Sequence, residues 1–397
     1  MNLRAICFLG AVLTGNSLLA QSITFGVPER LDAPVSSAVA DFGSGISPDG
    51  KLLLFNFCAS FTSDCDIRIA ARADAESEFG AAMPLAGSVN TSANELYPTL
   101  SPDGLQLYFA DALFPPFDND RRRPGGQGGG DIWLATRTST DQDFADVINL
   151  GSDINTPALE AYSHISPDGL TLLFSSDRVD GGHGGGDLYM ATRDSLDGAF
   201  GDVTNLGTGV NSSANEGRAT ISDNGLVLFF DSDRGGGFGN FDIWMATRTD
   251  TAQSFGSAQN LGPGVNTPTL DSGPSLSADG DTLYFESFRS PNLGLGSDLW
   301  RVPVLGVLPQ RGDTNGDGKV DIDDLNNVRN NFGAIGPDDG TLAGDSYPFD
   351  GMVNIDDLNG VRNNFGAGAA AVPEPAALAL ASLLALVAFI ARPRRRP

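Results

Sequence analysis

Apolar and polar residues alternate in short runs along most of this chain, the period-two pattern of half-buried β-strands. The pattern is plainest in Ile165-Ser-Pro-Asp-Gly-Leu-Thr-Leu-Leu-Phe174, followed by Ser175-Ser-Asp-Arg178, a glycine run and Asp187-Leu-Tyr-Met-Ala-Thr-Arg193. It occurs five times. The turn reads Ser47-Pro-Asp-Gly50, Ser101-Pro-Asp-Gly104, Ser166-Pro-Asp-Gly169, Ser222-Asp-Asn-Gly225 and Ser277-Ala-Asp-Gly280, with spacings of 54, 65, 56 and 55 residues. Proline, aspartate and glycine in this order set a hairpin: proline fixes φ, aspartate bonds the turn backbone, and glycine takes the left-handed position. A third strand opens each time at an aspartate, Asp66, Asp131, Asp187, Asp242 and Asp298. A fourth runs from a phenylalanine to a leucine, as in Phe200 to Leu206, and is followed by Val-Asn and then an acid. The unit is therefore four strands, and a repeat of this length is a stacked or ring architecture.

The ends decide between stack and ring. The chain begins with a fourth-type strand, Phe25 to Leu31, and its last unit stops after a third-type strand from Asp298 to Val304. The first strand then completes the last sheet and removes the free edges. The expected fold is all-β: a five-bladed propeller closed by the N-terminal strand over 21–305. The Ser-Pro-Asp-Gly, Phe-x-Ser-Asp-Arg and Asp-Ile-Trp signatures resemble the WD40-like propeller repeats of the TolB/PD40 type over roughly 22–305.

One face of such a ring gathers the acids Asp41, Glu95, Glu160, Glu216 and Asp271, together with Asp177, Arg178, Asp233 and Arg234. Five carboxylates near a channel mouth could hold a cation or sugar hydroxyls. All five repeats carry the acid alike, however, and catalytic sites break symmetry whereas structural devices repeat. Each acid is thus expected to bond loop backbone within its own blade, and the aspartates that open the third strands are expected to brace loops. The glycine runs Gly125–Gly130 and Gly181–Gly186 match no phosphate loop, since no Lys-Ser/Thr follows, and read as flexible connections. The stretch from Phe114-Pro-Pro-Phe117 to Arg121-Arg-Arg123 accounts for the 65-residue spacing and is the least symmetric part of the ring. It is the best single candidate for a specific contact, although a solvated loop is the preferred reading of it.

Composition narrows the partners. Formal charge is −26 over 397 residues, a surface that repels phosphate backbones and so argues against nucleic acid. Cys7 lies in a leader, residues 1–20, that reads as a secretory signal peptide. Cys58 and Cys65 are then the one possible disulfide, which suits an oxidising compartment and would stabilise by about 2.5 kcal/mol on loop entropy.

After a linker over 306–311 the pattern changes. Asp313-Thr-Asn-Gly-Asp-Gly-Lys-Val-Asp-Ile-Asp-Asp324 places Asp313, Asn315, Asp317, the Lys319 carbonyl, Asp321 and Asp324 at the oxygen-ligand positions of a twelve-residue Ca2+ loop. The following Asp323-Asp-Leu-Asn-Asn-Val-Arg-Asn-Asn-Phe-Gly333 recurs as Asp356-Asp-Leu-Asn-Gly-Val-Arg-Asn-Asn-Phe-Gly366. This duplication resembles a type I dockerin over 312–367, a small α-helical, EF-hand-like module whose family binds cohesin modules through the two segments. The second loop keeps only Asp350, Asn354 and Asp357, a weak site. The two helices are expected to pack through Leu325, Val328 and Phe332 against Leu358, Val361 and Phe365.

The tail, 372–397, holds Val372-Pro-Glu-Pro375, an apolar helix-forming run Ala376–Ala391 and Arg392-Pro-Arg-Arg-Arg396. It resembles a PEP-CTERM sorting signal, in which Pro373, Glu374 and Pro375 are read by an exosortase. The resemblance implies export to the cell surface or medium after transient anchoring in the inner membrane.

The function expected is an exported, non-catalytic binding protein, its propeller taking protein or polysaccharide. The alternative is a glycoside hydrolase or lyase, since five-bladed propellers include hydrolases with channel carboxylates. Only His164 and His183 are histidines and no nucleophile–base signature stands out. An inward-facing acid in one blade without counterparts elsewhere would favour the enzyme.

Overall fold

A computed structural model describes residues 23–31, 41–47, 49–58, 64–74, 77–111, 121–248, 251–289, 297–305 and 322–335, together with Val353, Leu358 and Val361. The signal peptide, the Ca2+-loop residues 313–321, the second-loop residues Asp350, Asn354 and Asp357, and the whole sorting tail lie outside them. The chain divides into two compact units, Met1–Leu308 and Pro309–Pro397.

The first unit is a five-bladed all-β propeller. Blade 1 is β3 (Asp41–Ile46), β4 (Leu52–Cys58), β5 (Cys65–Ala71) and β6 (Met83–Pro84); blade 2 is β7 (Leu96–Leu100), β8 (Gln106–Ala110), β9 (Ile132–Thr136) and β10 (Ala145–Asn149). Blade 3 comprises β11 (Glu160–Ile165), β12 (Thr171–Ser176), β13 (Asp187–Thr192) and β14 (Gly201–Asn205). Blade 4 has β15 (Glu216–Ile221), β16 (Val227–Ser232), β17 (Asp242–Thr247) and β18 (Gln259–Asn260). Blade 5 is β19 (Asp271–Leu276), β20 (Thr282–Ser287) and β21 (Asp298–Leu305), and its outer edge is supplied by β1 (Thr24–Phe25) and β2 (Glu29–Arg30). Phe25 pairs with Val304 and Glu29 with Arg301, the expected ring closure.

Turn chemistry explains the inner hairpins. Ser166 Oγ donates to Asp168 Oδ1 at 2.6 Å and accepts from Thr171 N at 2.9 Å, while Gly169 sits at φ 73°. In blade 4 Asn224 Oδ1 takes the aspartate's place, accepting from Ser222 Oγ at 2.7 Å and Leu226 N at 2.9 Å, so the altered sequence keeps the turn.

The core lies between blades rather than within one. Tyr108 and Ile132 of blade 2 pack with Leu172 and Phe174 of blade 3, and Leu173 and Leu188 of blade 3 with Leu228 and Phe230 of blade 4. Tyr284 and Leu299 of blade 5 close on Leu53 and Phe55 of blade 1. Each fully buried Phe or Leu contributes about 1.5–3 kcal/mol, so a blade removed from the ring would expose two such layers. Cys58 and Cys65 face one another across β4 and β5 and are joined as a disulfide.

In the second unit α1 (Ile322–Asn331) carries Asp323 and Asp324 in its first turn and Arg329 in its last, which suits the helix dipole. Leu325 and Val328 are buried with Val353, Leu358 and Val361, and Val353 exchanges backbone hydrogen bonds with Gly333 and Ala334. Phe332 departs from the expected packing. It is 42% exposed, because it falls at the fraying end of α1 just before the turn at Gly333, which has φ 86°.

Candidate functional site

The repeated acids are bound up in loop structure. Glu160 accepts from Thr156 N at 2.6 Å, Thr156 Oγ1 at 2.7 Å and Ser176 Oγ at 2.7 Å, and pairs with Arg178 at 3.2 Å. Glu216 repeats this with Ser212, Ser232 and Arg234, and Asp271 with Thr267 and Arg289. Glu95 bonds Thr91 and pairs with Arg123 at 3.1 Å. The side chain of Asp41 is outside the described residues. Burial raises the Glu160 carboxyl above its usual range and Glu95 to about 7, against the Thr91 bonds and Arg123, which lower it. Each arginine also lies over the aromatics of its blade, Arg178 at 4.8 Å from the Tyr189 ring and Arg289 at 4.9 Å from Trp300.

Residues 112–120 of the blade-2 insertion lie outside the described residues, and Arg123 at its end is tied into the blade. It holds the place of Arg178, bonding Glu95 and the Val89 carbonyl as Arg178 bonds Glu160 and the Ile154 carbonyl. The insertion displaces it twelve residues past Asp111, where a motif search does not look. Arg122 bonds the carbonyls of Gly128 and Gly129.

The reading of the glycine runs is corrected: they are fastened rather than flexible. Asp131 Oδ2, Asp187 Oδ2 and Asp242 Oδ2 accept the backbone N–H of Gln127, His183 and Phe238, each at 2.5 Å. These aspartates do brace loops. Across the blade boundary Gly129 N donates to Ala158 O at 2.8 Å and Gly185 N to Ala214 O at 2.9 Å.

The centre of the ring is where symmetry fails. The second residue after each acid lines the channel and reads Gly43, Tyr97, Tyr162, Arg218 and Gly273. A bulge in every innermost strand turns this residue inward. Tyr97 and Tyr162 hold the left-handed backbone, φ 56° and 58°, that Gly43 and Gly273 adopt without strain. Their rings meet edge to face at 4.3 Å, and the Arg218 guanidinium lies 5.2 Å from both.

A second ring of residues, on the second strands, reads Asn56, Ala110, Ser175, Asp231 and Glu286, all buried. Asp231 and Glu286 are the inward acids without counterparts that sequence reasoning asked for and did not find. Glu286 is ion-paired with Arg218 and accepts from Gly43 N at 2.9 Å and Ser272 Oγ at 2.7 Å. Asp231 accepts from Gly273 N at 2.8 Å and lies 3.7 Å from Arg218 Nε. Burial raises Asp231 to about 6 although Arg218 opposes it. Burial alone would lower the Arg218 pKa, but Glu286 and Asp231 together raise it. One rung deeper His164 Nε2 lies 3.3 Å from Thr220 Oγ1, and burial lowers its pKa to about 4, so it is neutral. The cavity left among these groups has a volume of about 30 Å3, room for a water molecule or two.

Of the expected Ca2+ ligands only Asp324 is described. It is fully buried in the first turn of α1, where a twelfth-position carboxylate belongs, and a hard anionic oxygen there fits Ca2+. Among the described residues no helix is long and apolar enough to cross a membrane.

No family model matches the chain, and no curated protein matches it. Solved structures of similar fold include TolB from Acinetobacter baumannii, 17% identical over 72% of this chain with a TM-score of 0.42. The chain spans 64% of that protein, under two thirds of its length. The catalytic domain of the Coprinopsis cinerea GH62 alpha-L-arabinofuranosidase is 11% identical, over 71% of this chain and 97% of that one, with a TM-score of 0.47. A thermostable family-43 glycoside hydrolase is 14% identical, over 75% and 91%, with a TM-score of 0.43. Likenesses at this level carry no argument about activity.

Proposed function

We propose that this chain is an exported, non-catalytic binding protein whose propeller recognises a polysaccharide or protein. The observation that carries this is the filled channel. Arg218 is ion-paired with Glu286 and lies 3.7 Å from Asp231, Tyr97 and Tyr162 stand beside it, and about 30 Å3 remains among these groups, where ligand pockets run to roughly 300 Å3 or more. The four described acids of the outer ring are held by threonine or serine, backbone and arginine, with none of their side chains exposed. In the same reading Asp313, Asn315, Asp317, the Lys319 carbonyl, Asp321 and Asp324 hold one Ca2+ in a dockerin-like module. That ion would neutralise the crowded carboxylates and order the loop for calcium-dependent docking to a cohesin-like partner. Pro373-Glu-Pro375 would be handed to an exosortase. Glycan and peptide arrays probed with the full chain, with and without Ca2+, test the recognition role; no retained ligand on either array would sink it.

One observation favours a second reading, a glycoside hydrolase. Asp231 and Glu286 break the symmetry of the ring, and burial puts the Asp231 pKa at about 6, where a general acid works. Opening of the channel would have to free both carboxylates from Arg218.

A further inference from the structure

The glycine loops between second and third strands of blades 2, 3 and 4 are pinned by hydrogen bonds, and each presents one side chain that differs from blade to blade. The motif is Gly126-Gln127-Gly128 in blade 2, Gly182-His183-Gly184 in blade 3 and Gly237-Phe238-Gly239 in blade 4. The tip residue is fixed by its own N–H on Asp131, Asp187 or Asp242. Its neighbours have no room for a side chain. A Cβ at Gly126 or Gly237 would strike the aspartate carboxylate, and one at Gly128, Gly184 or Gly239 would strike the backbone of the following blade. Everything that repeats here is scaffold, and the tip is what varies. Gln127, His183 and Phe238 are all exposed, and among the described residues the Gln127 and His183 side chains make no hydrogen bond.

A fourth side chain joins them. Phe288 stands where blades 3 and 4 have Asp177 and Asp233, which cap the N–H groups of Leu159 and Asn215. It is 45% exposed, and its N–H bonds the Leu270 carbonyl, next to Thr269, whose carbonyl abuts Gly239 in the Phe238 loop. Two phenylalanines therefore share the junction of blades 4 and 5.

We propose that Gln127, His183, Phe238 and Phe288 form the contact surface for a neutral polysaccharide. This deepens the recognition reading given above and rests on it. The rings offer stacking faces, and the amide and imidazole offer donors and acceptors for hydroxyls. None of the four is a carboxylate or a permanent cation, while the chain as a whole carries −26. That charge opposes anionic polymers and a second copy of this chain alike.

The test is co-sedimentation of the full chain with insoluble β-glucan, mannan and xylan, and with calcium alginate as the anionic arm. The variants are the triple Gln127→Ser, His183→Ser, Phe238→Ser and the single Phe288→Asp, which restores the residue of blades 3 and 4. Both should melt with the wild type. The expected result is saturable binding to at least one neutral polymer and none to alginate. The triple variant should weaken that binding by about tenfold or more, the size of losing an aromatic anchor, and Phe288→Asp should weaken it less. Wild-type affinity in both variants overturns the tip surface while leaving glycan recognition standing. Absence of binding to every neutral polymer, or binding to alginate instead, also overturns the tip surface for a neutral glycan, while the recognition reading itself falls only if the glycan and peptide arrays retain nothing.

Discussion

Removing Glu286 should loosen the ring at its weakest seam. The carboxylate ties blade 4 to blade 5 through Arg218 and Ser272, and blade 5 to blade 1 through Gly43 N at 2.9 Å. Blade 5 is also the one completed by only four short-strand residues from the N-terminus, Thr24–Phe25 and Glu29–Arg30. Glu286→Ala leaves the half-buried Arg218 with the more distant Asp231 and leaves Gly43 N without its acceptor. Breaking a buried pair from one side costs about 3–5 kcal/mol. For a domain this large each kcal/mol is worth about 2 °C, so calorimetry of the full chain should show melting lowered by roughly 6–10 °C. The combined variant Arg218→Met, Asp231→Leu, Glu286→Leu removes the charges together and should recover the part of the loss due to the unpaired charge. It should not recover the part due to Gly43 N, and Gly273 N loses its carboxylate acceptor too. A Glu286→Ala protein melting within about 2 °C of wild type, on that same scale, would refute the clamp.

Glu95 and Asp231 should each add stability as pH falls from neutral, opposite to the usual behaviour of acidic groups. Buried His164, held neutral down to about 4, works against them below its ordinary value of 6.5. Burial raises the folded pKa of Glu95 to about 7 and of Asp231 to about 6, so the folded state binds protons that the unfolded state does not. The gain begins as pH drops through about 7 and is complete near the ordinary carboxylate range. Asp231→Asn and Glu95→Gln should each flatten melting temperature against pH; an unchanged slope in both would refute it. Deleting residues 21–31 should expose the edge of β21, seen as faster proteolysis and aggregation, whereas wild-type melting would contradict the closure. Calorimetric titration of the full chain should find one tight Ca2+ that Asp324→Ala abolishes and Asp357→Ala spares; two equal tight sites, or none, would sink the loop assignment.

What repeats in this chain could be read from the sequence, and what does not repeat could not. Five turns and a displaced first strand were enough for the blade count and the closure. The bracing role of Glu160, Glu216 and Asp271 followed from their recurrence alone. Arg218, Asp231 and Glu286 were missed because motif alignment rewards sameness. Their signal lay in the aligned positions that disagree, Gly43, Tyr97, Tyr162, Arg218 and Gly273 in one ring and Asn56, Ala110, Ser175, Asp231 and Glu286 in the next. Arg123 was hidden by the insertion before it, which moves the guanidinium along the chain but not in space. The glycine loops were misread because composition reports the freedom of a free chain. Here that freedom is removed by the carboxylates of Asp131, Asp187 and Asp242.

Recognition without turnover is the central claim, and reducing-end release tests it most directly. The full chain is incubated with each neutral polysaccharide it binds, and new reducing ends are followed with time beside the variants Glu286→Gln and Asp231→Asn. The account predicts saturable binding with no release above the buffer rate for all three proteins. Release by the wild type that is lost in either variant would contradict it and make the channel acids catalytic.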